Sequence, residues 1–125
     1  MTNRIFTILV AEDEDSSRYL YQEELSEEGY KVLAVQNGLQ VLGTLEDQPV
    51  DLLLTDIQMP DMNATELIPR VRAEHPSLPI IIVSAYKGLG EELQAGGHRL
   101  DGFFLKPADM GEIKKRIREV LQKQV

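Results

Sequence analysis

The sequence contains no cysteine and no tryptophan, and its 125 residues include only two histidines. Without cysteine the chain can form neither a disulfide nor a thiolate metal site. The absence of cysteine is also compatible with a reducing compartment, so we expect a cytoplasmic location. Any metal site in this chain is expected to use oxygen ligands.

Long hydrophobic runs and an excess of positive charge are missing as well. The apolar stretches are far too short to span a bilayer, so no membrane partner is expected. The sequence has 21 acidic and 13 basic residues, a net charge of −8, which argues against direct nucleic-acid binding. No cleavable signal is predicted before the first strand-like run. The length predicts a single domain over residues 1–125.

Four short apolar runs stand out, at residues 8–11, 52–54, 80–83 and 103–105, and each leads into charged or hydroxyl residues. Runs of Val, Ile and Leu that are apolar on both faces are typical of parallel strands buried between helices. Ligands of open α/β sheets bind at the carboxyl ends of the strands. The polar residues that follow the runs should converge there: Glu12, Asp13, Asp56, Ser84 and Lys106.

Strand-like runs alternate five times with polar, helix-compatible stretches, which is the pattern of a βαβ fold. We expect strands near residues 5–11, 31–35, 50–55, 80–83 and 102–105. We expect helices over most of 15–28, 38–47 and 64–74, over part of 87–95, and over 109–123. Asp109 and Glu112 indicate a capping box at the start of the last helix.

Two of these helices are expected to be irregular. Pro69 lies inside the third helical stretch, where it removes a hydrogen bond and should kink or delay the helix. The fourth stretch contains Gly88, Gly90, Gly96 and Gly97. Each glycine in a helix interior costs about 1 kcal/mol relative to alanine. We therefore predict that the helical segment at residues 87–99 is short, displaced or mobile.

The predicted pocket combines three carboxylates with one hydroxyl and one ammonium group. Carboxylates held close together repel one another unless a cation joins them, and oxygen ligands suit Mg²⁺. Asp56 is the best candidate for a nucleophile, because aspartate can form an acyl phosphate. Lys106 could pair with one phosphoryl oxygen, and Ser84 could donate a hydrogen bond to another. No histidine ends a predicted strand, so a broad hydrolase is not expected.

Over essentially its whole length, the chain resembles the receiver domain of two-component response regulators. The resemblance lies in Glu12-Asp13, Thr55-Asp56-Ile57-Gln58-Met59-Pro60, Ser84-Ala85 and Lys106-Pro107. It implies a flavodoxin-like, doubly wound sheet of five parallel strands in the order 2-1-3-4-5, with helices on both faces.

The resemblance also implies the roles of particular residues. Asp56 would be the phosphoacceptor, and Ser84 and Lys106 would contact the phosphoryl group. Mg²⁺ would be bound by Glu12, Asp13, Asp56 and the main-chain carbonyl of Gln58. Ser84 and Phe103 would form the switch, in which the aromatic ring turns inward when the hydroxyl residue moves. The Lys106-Pro107 bond is expected to be cis.

The function implied by the resemblance is a phosphorylation-controlled signalling switch. A histidine kinase or histidine phosphotransfer protein would supply the phosphoryl group, and an output domain or protein could bind the face formed by helix four, strand five and helix five. The only chemistry expected of the chain itself is phosphoryl uptake and slow autodephosphorylation. Glu12 in place of the commoner aspartate and Ala64 in place of glycine depart from the family pattern.

Two alternatives remain open from the residues alone. An aspartyl-phosphate phosphatase also uses a strand-end aspartate, a hydroxyl and a lysine. Such enzymes usually place a second aspartate two residues after the nucleophile, where this chain has Gln58. A scaffold receiver that is never phosphorylated is the other alternative, and the intact acidic, hydroxyl and lysine positions argue against it.

Overall fold

The computed structural model describes residues 4–56, 59–62, 64–86, 88–97 and 99–123, along which strands and helices alternate. The strands are β1 (Thr7–Ala11), β2 (Lys31–Val35), β3 (Leu52–Asp56), β4 (Ile80–Ser84) and β5 (Gly102–Leu105). The helices are α1 (Asp15–Glu27), α2 (Gly38–Asp47), α3 (Ala64–Glu74), α4 (Leu89–Ala95) and α5 (Met110–Gln122). Every predicted element is present, with its ends within two residues of those expected.

The five strands form one parallel sheet in the order β2-β1-β3-β4-β5. This order confirms the predicted doubly wound fold. Thr55 is in register with Ala11 of β1, and Asp56 is in register with Val83 of β4. The carboxyl ends of the three central strands therefore lie side by side, at the position where ligands bind in sheets of this kind.

The two faces of the sheet carry separate hydrophobic layers. Along β1, Ile8 and Val10 belong to a layer formed with α1 and α5, whereas Leu9 and Ala11 belong to a layer formed with α2, α3 and α4. This alternation follows from the opposite directions of successive side chains in a strand. Because both faces are covered, β3 and β4 are apolar until their carboxyl ends, where Thr55, Asp56 and Ser84 stand.

The third helix runs from Ala64 to Glu74 and includes Pro69 within it. The helix is continuous despite the missing amide, and it buries Leu67, Ile68 and Val71 against the sheet. Packing of this apolar face supports the helix where proline removes a hydrogen bond.

The fourth helix is short, as predicted. It has seven residues and starts after Gly88, whose φ is +92°. Gly97, just beyond its end, has a φ of +89°. Both angles lie in the left-handed region that glycine adopts without strain, so the two glycines bound the helix. Lys87 and His98 lie outside the described residues.

The last helix confirms the predicted apolar stripe, because Ile113, Ile117, Val120 and Leu121 are all buried. The prediction of a capping box is only partly confirmed. Asp109 is the N-cap, but its carboxylate accepts a hydrogen bond from the Gly111 amide at 2.7 Å and not from the Glu112 amide. In the described part of the chain, no helix has both the length and the apolar composition needed to cross a membrane.

Candidate functional site

The end of β1 supplies the first two acidic residues of the site. The Glu12 amide donates to the carbonyl of Val35 at the end of β2, which continues the pairing of the two strands by one residue. Glu12 is buried, with 2% of its surface exposed, whereas Asp13 is exposed. The Glu12 Oε2 atom accepts a hydrogen bond from the Glu14 amide at 3.1 Å. The turn after β1 therefore folds one carboxylate inward and leaves the next one at the surface.

The end of β3 supplies the third carboxylate. Asp56 is the last residue of the strand, and its side chain is 13% exposed. Carboxylate oxygens of Glu12, Asp13 and Asp56 lie within 4.8 Å of one another. The structure thus brings together the acidic residues that the sequence predicted to converge.

The end of β5 brings a cation into the same site. Lys106 Nζ lies 2.5 Å from Asp56 Oδ2 and 3.1 Å from Glu12 Oε1. The Lys106 backbone amide donates to the carbonyl of Ser84 at 2.7 Å, which aligns the ends of β4 and β5. The Lys106-Pro107 peptide bond is cis, as the family resemblance implied.

Burial and pairing shift the pKa values of the two most enclosed groups. Burial raises the pKa of Glu12, although the Glu14 amide and the Lys106 ammonium partly offset this effect. Burial disfavours the charged form of Lys106, but hydrogen bonds to Asp56 and Glu12 outweigh it and raise the pKa of the lysine. Lys106 therefore stays protonated at neutral pH and can hold an anionic group.

The hydroxyl predicted at this edge, that of Ser84, is bonded to the backbone. Ser84 is the last residue of β4 and is fully buried. Its Oγ accepts a hydrogen bond from the Tyr86 amide at 2.9 Å. A hydroxyl that accepts one bond still has its own proton to donate. The surface of the cavity itself is formed by Glu12, Asp13, Glu14, Asp56, Ala85, Tyr86 and Lys106.

The remaining predicted residues lie beside the site or outside the described chain. Phe103 is in β5, partly buried, and packs against the hydrophobic layer shared with α2, α3 and α4. Gln58, whose main-chain carbonyl was expected to bind Mg²⁺, lies outside the described residues. Tyr86 lines the cavity and remains about half exposed.

Sequence reasoning missed Arg18, which contacts the acidic turn. The guanidinium of Arg18, in the first turn of α1, donates to the main-chain carbonyl of Glu12 at 3.0 Å. No sequence signal distinguishes this arginine, because a basic residue near a helix start is expected to point into solvent. Only the folded turn brings the carbonyl within its reach.

The donor set fits a hard divalent cation. Three carboxylates from two strand ends offer oxygen atoms at short mutual distances, and no nitrogen or sulfur ligand is among them. Mg²⁺ is usually held by one or two carboxylates together with water and phosphate oxygens. The Lys106 ammonium beside Asp56 places one positive charge among these carboxylates.

The family model for the response regulator receiver domain matches residues 8–118. Among curated proteins, the chain is 32% identical to sporulation initiation phosphotransferase F of Bacillus subtilis (strain 168), covering 91% of this chain and 92% of that protein. It is 30% identical to transcriptional regulatory protein ZraR of Klebsiella oxytoca, covering 97% of this chain. The matched region is 27% of the length of that regulator, so the chain spans about a quarter of it.

Solved structures agree with this relationship. The response regulator TrrA from Thermotoga maritima, crystallised in complex with Mg²⁺ and BeF, has a TM-score of 0.84 and 29% identity, covering 93% of this chain and 99% of that one. A CheY-like receiver domain protein from Methanospirillum hungatei has a TM-score of 0.86 and 27% identity, covering 97% of each chain. From its sequence, sheet order and strand-end site, this chain belongs to the response regulator receiver domain family.

Proposed function

We propose that this chain is a signalling switch that accepts a phosphoryl group on Asp56, in the presence of Mg²⁺, from a histidine kinase or histidine phosphotransfer protein. The observation that carries the proposal is the bridging of Asp56 and Glu12 by the Lys106 ammonium. This contact joins a candidate nucleophile, a candidate metal ligand and a permanent cation at one point of the sheet edge.

Each residue has a distinct part in the proposed transfer. A carboxylate oxygen of Asp56 attacks phosphorus, the phosphorus–nitrogen bond of the donor phosphohistidine breaks, and its electron pair stays on the imidazole nitrogen. Lys106, already in contact with Asp56 Oδ2, pairs with a phosphoryl oxygen as the negative charge arrives. The phosphoryl group comes from the partner, so the chain is a regulatory phosphoacceptor.

The metal site of this proposal consists of Glu12, Asp13 and Asp56, with the Gln58 carbonyl as a further ligand implied by the family. When bound, Mg²⁺ offsets the negative charge between the Asp56 carboxylate and the incoming phosphoryl group. Glu12 is held by both Lys106 and the Glu14 amide, so its position does not depend on the metal alone.

The response to phosphorylation is proposed to start at Ser84. Its hydroxyl would donate to a phosphoryl oxygen, and moving toward Asp56 would change the packing beside β5. Phe103 in β5 is partly buried, and its ring would turn further inward. A change at Ser84 and Phe103 alters the face made by α4, β5 and α5, where we place the output partner.

Labelling with a small phosphodonor tests this function. The chain is incubated with acetyl phosphate, with Mg²⁺ or with EDTA, and the modified residue is mapped by mass spectrometry. The expected result is one phosphoryl group on Asp56 that depends on Mg²⁺ and is lost in Asp56→Asn. Asp47→Asn, which changes an exposed aspartate at the end of α2, is the matched control and should label normally. Unchanged labelling of Asp56→Asn would refute the assignment.

A further inference from the structure

Arg18 bends back from the first turn of α1 toward the acidic turn that precedes the helix. Its Nη1 donates to the main-chain carbonyl of Glu12 at 3.0 Å and makes a longer contact with the carbonyl of Asp13 at 3.5 Å. Its Nη2 pairs with Asp15 Oδ1 at 2.5 Å. The side chain is largely buried, with 17% of its surface exposed.

The longer of the two carbonyl contacts involves the peptide whose N–H is bonded to the Glu12 carboxylate. The peptide between Asp13 and Glu14 is planar and trans, so its carbonyl and its N–H point in opposite directions. The carbonyl points toward Arg18, and the N–H donates to Glu12 Oε2 at 3.1 Å. Arg18 on one side and the Glu12 carboxylate on the other therefore hold the same turn between them.

This restraint matters more for a glutamate than for an aspartate. Glu12 has one more rotatable bond than the aspartate that is commoner at this place in the family, and ordering each such bond costs conformational entropy. The Glu14 amide and Lys106 each hold one oxygen of the Glu12 carboxylate. If the turn were free to move, the amide would no longer be aimed at Oε2, and the longer side chain would lose one of these restraints.

We propose that Arg18 is a positioning residue for the metal site: it holds the turn at residues 12–14 so that the Glu12 and Asp13 carboxylates are preorganised for Mg²⁺. The inference rests on the proposed function, because it assumes that these carboxylates bind the metal. Arg18 acts through the main chain and does not itself touch the metal or the phosphoryl group.

The sign of the effect on Mg²⁺ affinity separates positioning from simple charge. Arg18 is a cation beside a site for a cation, so its charge alone weakens Mg²⁺ binding, and removing it would tighten binding. Positioning has the opposite consequence, because a turn that moves must be reordered when the metal binds. A role confined to fold stability would leave the affinity of the folded protein unchanged.

The test measures Mg²⁺ affinity of the whole chain by NMR, from amide shifts of residues 11–14, for the wild type, Arg18→Met and Arg18→Lys. We expect Arg18→Met to weaken binding about tenfold, the lower end of the effect of removing a residue that supports a metal ligand. Arg18→Lys should show a smaller loss, because it keeps the charge but not the planar fork. Arg118→Met is the matched control, since Arg118 pairs with Glu28 at the opposite end of α1.

A second measurement needs no metal. The Glu14 amide should exchange with solvent faster in Arg18→Met than in wild type, because its hydrogen bond to Glu12 is loosened. Equal or tighter Mg²⁺ binding by Arg18→Met, or wild-type affinity in Arg18→Lys, would overturn the positioning role. If Arg18→Met does not fold, Arg18→Lys decides the question alone. Failure of the wild type to bind Mg²⁺ would instead count against the proposed function.

Discussion

The ammonium nitrogen of Lys106 lies 2.5 Å from Oδ2 of Asp56, although 50 positions separate the two residues in the chain. Asp56 ends β3 and Lys106 follows β5, and β4 lies between these two strands, so the contact crosses the ends of three strands. The same nitrogen reaches Glu12 at 3.1 Å. One cation thus holds together the two most buried carboxylates of the site, and a phosphoryl group on Asp56 would form beside it.

The first prediction follows from this contact. Lys106→Ala should still take up phosphate on Asp56, because the proposed nucleophile and the proposed Mg²⁺ ligands remain. It should lose the conformational response, because no charge from β5 then holds the phosphoryl oxygens. The measurement pairs mass analysis of uptake with NMR shifts of residues 102–105. Lys115→Ala, at an exposed lysine of α5, should behave like wild type. A full wild-type response in labelled Lys106→Ala would contradict this prediction.

The second prediction concerns the lifetime of the acyl phosphate. Tyr86 lines the same cavity as Asp56 and is 50% exposed. A ring at this place should shield the phosphoryl group, so we expect slow autodephosphorylation.

Comparison of two tyrosine variants measures this shielding. Tyr86→Ala should shorten the half-life of phosphorylated protein several-fold after the donor is removed. Tyr19→Ala, at a tyrosine of α1 that is 65% exposed, controls for loss of a surface ring. An unchanged or longer half-life in Tyr86→Ala would rule out shielding by this side chain.

The fold and the three carboxylates were predictable because their signals are local. An apolar run and the polar residue that ends it lie in one segment, and the parallel sheet then brings Glu12, Asp13 and Asp56 together. Two other contacts depend on side-chain rotamers in the folded turns. The Arg18 guanidinium donates to the Glu12 carbonyl, and Ser84 Oγ accepts a hydrogen bond from the Tyr86 amide. Sequence patterns do not specify such rotamers.

The sequence analysis also did not predict the link between the loop after β3 and the start of α2. The carboxylate of Asp61 accepts hydrogen bonds from the amides of Gly38 at 3.0 Å and Leu39 at 2.9 Å. Asn37, the N-cap of α2, accepts a hydrogen bond from the Gln40 amide at 2.8 Å. The second cap comes from a residue 23 positions away from Gly38, which no local capping rule identifies.

The third prediction is the pH dependence of that link. Burial would raise the pKa of Asp61, but the Leu39 and Gly38 amides outweigh it, and the pKa is lowered. A carboxyl with a lowered folded pKa stabilises the fold above its unfolded pKa, and this contribution is lost as the pH falls through the folded value. We therefore expect NMR shifts of the Gly38 and Leu39 amides to titrate below about pH 3.9, the ordinary aspartate value.

Asp61→Asn serves as the control for this titration. The amide oxygen of asparagine can still accept one hydrogen bond, but it carries no charge and does not titrate in this range. The low-pH change at Gly38 and Leu39 should therefore disappear in this variant. A midpoint above about 3.9 in the wild type would show that the two amides do not stabilise the charged carboxylate.

The last prediction concerns α4, which belongs to the proposed output face. The helix has seven residues, a length that is marginal without tertiary support. Among its described side chains, Leu93 is the buried one, whereas α5 buries Ile113, Ile117, Val120 and Leu121. We expect amides of residues 88–97 to exchange much faster than those of 112–121 in the unphosphorylated protein.

Adding Mg²⁺ with beryllium fluoride as a phosphoryl mimic should slow exchange in the first segment and leave the second unchanged. Asp56→Asn should abolish the slowing, because the mimic then has no carboxylate to bind. Protection of 88–97 equal to that of 112–121 before the mimic is added would show that one buried leucine and the flanking loops hold the helix more firmly than its length and glycines indicate.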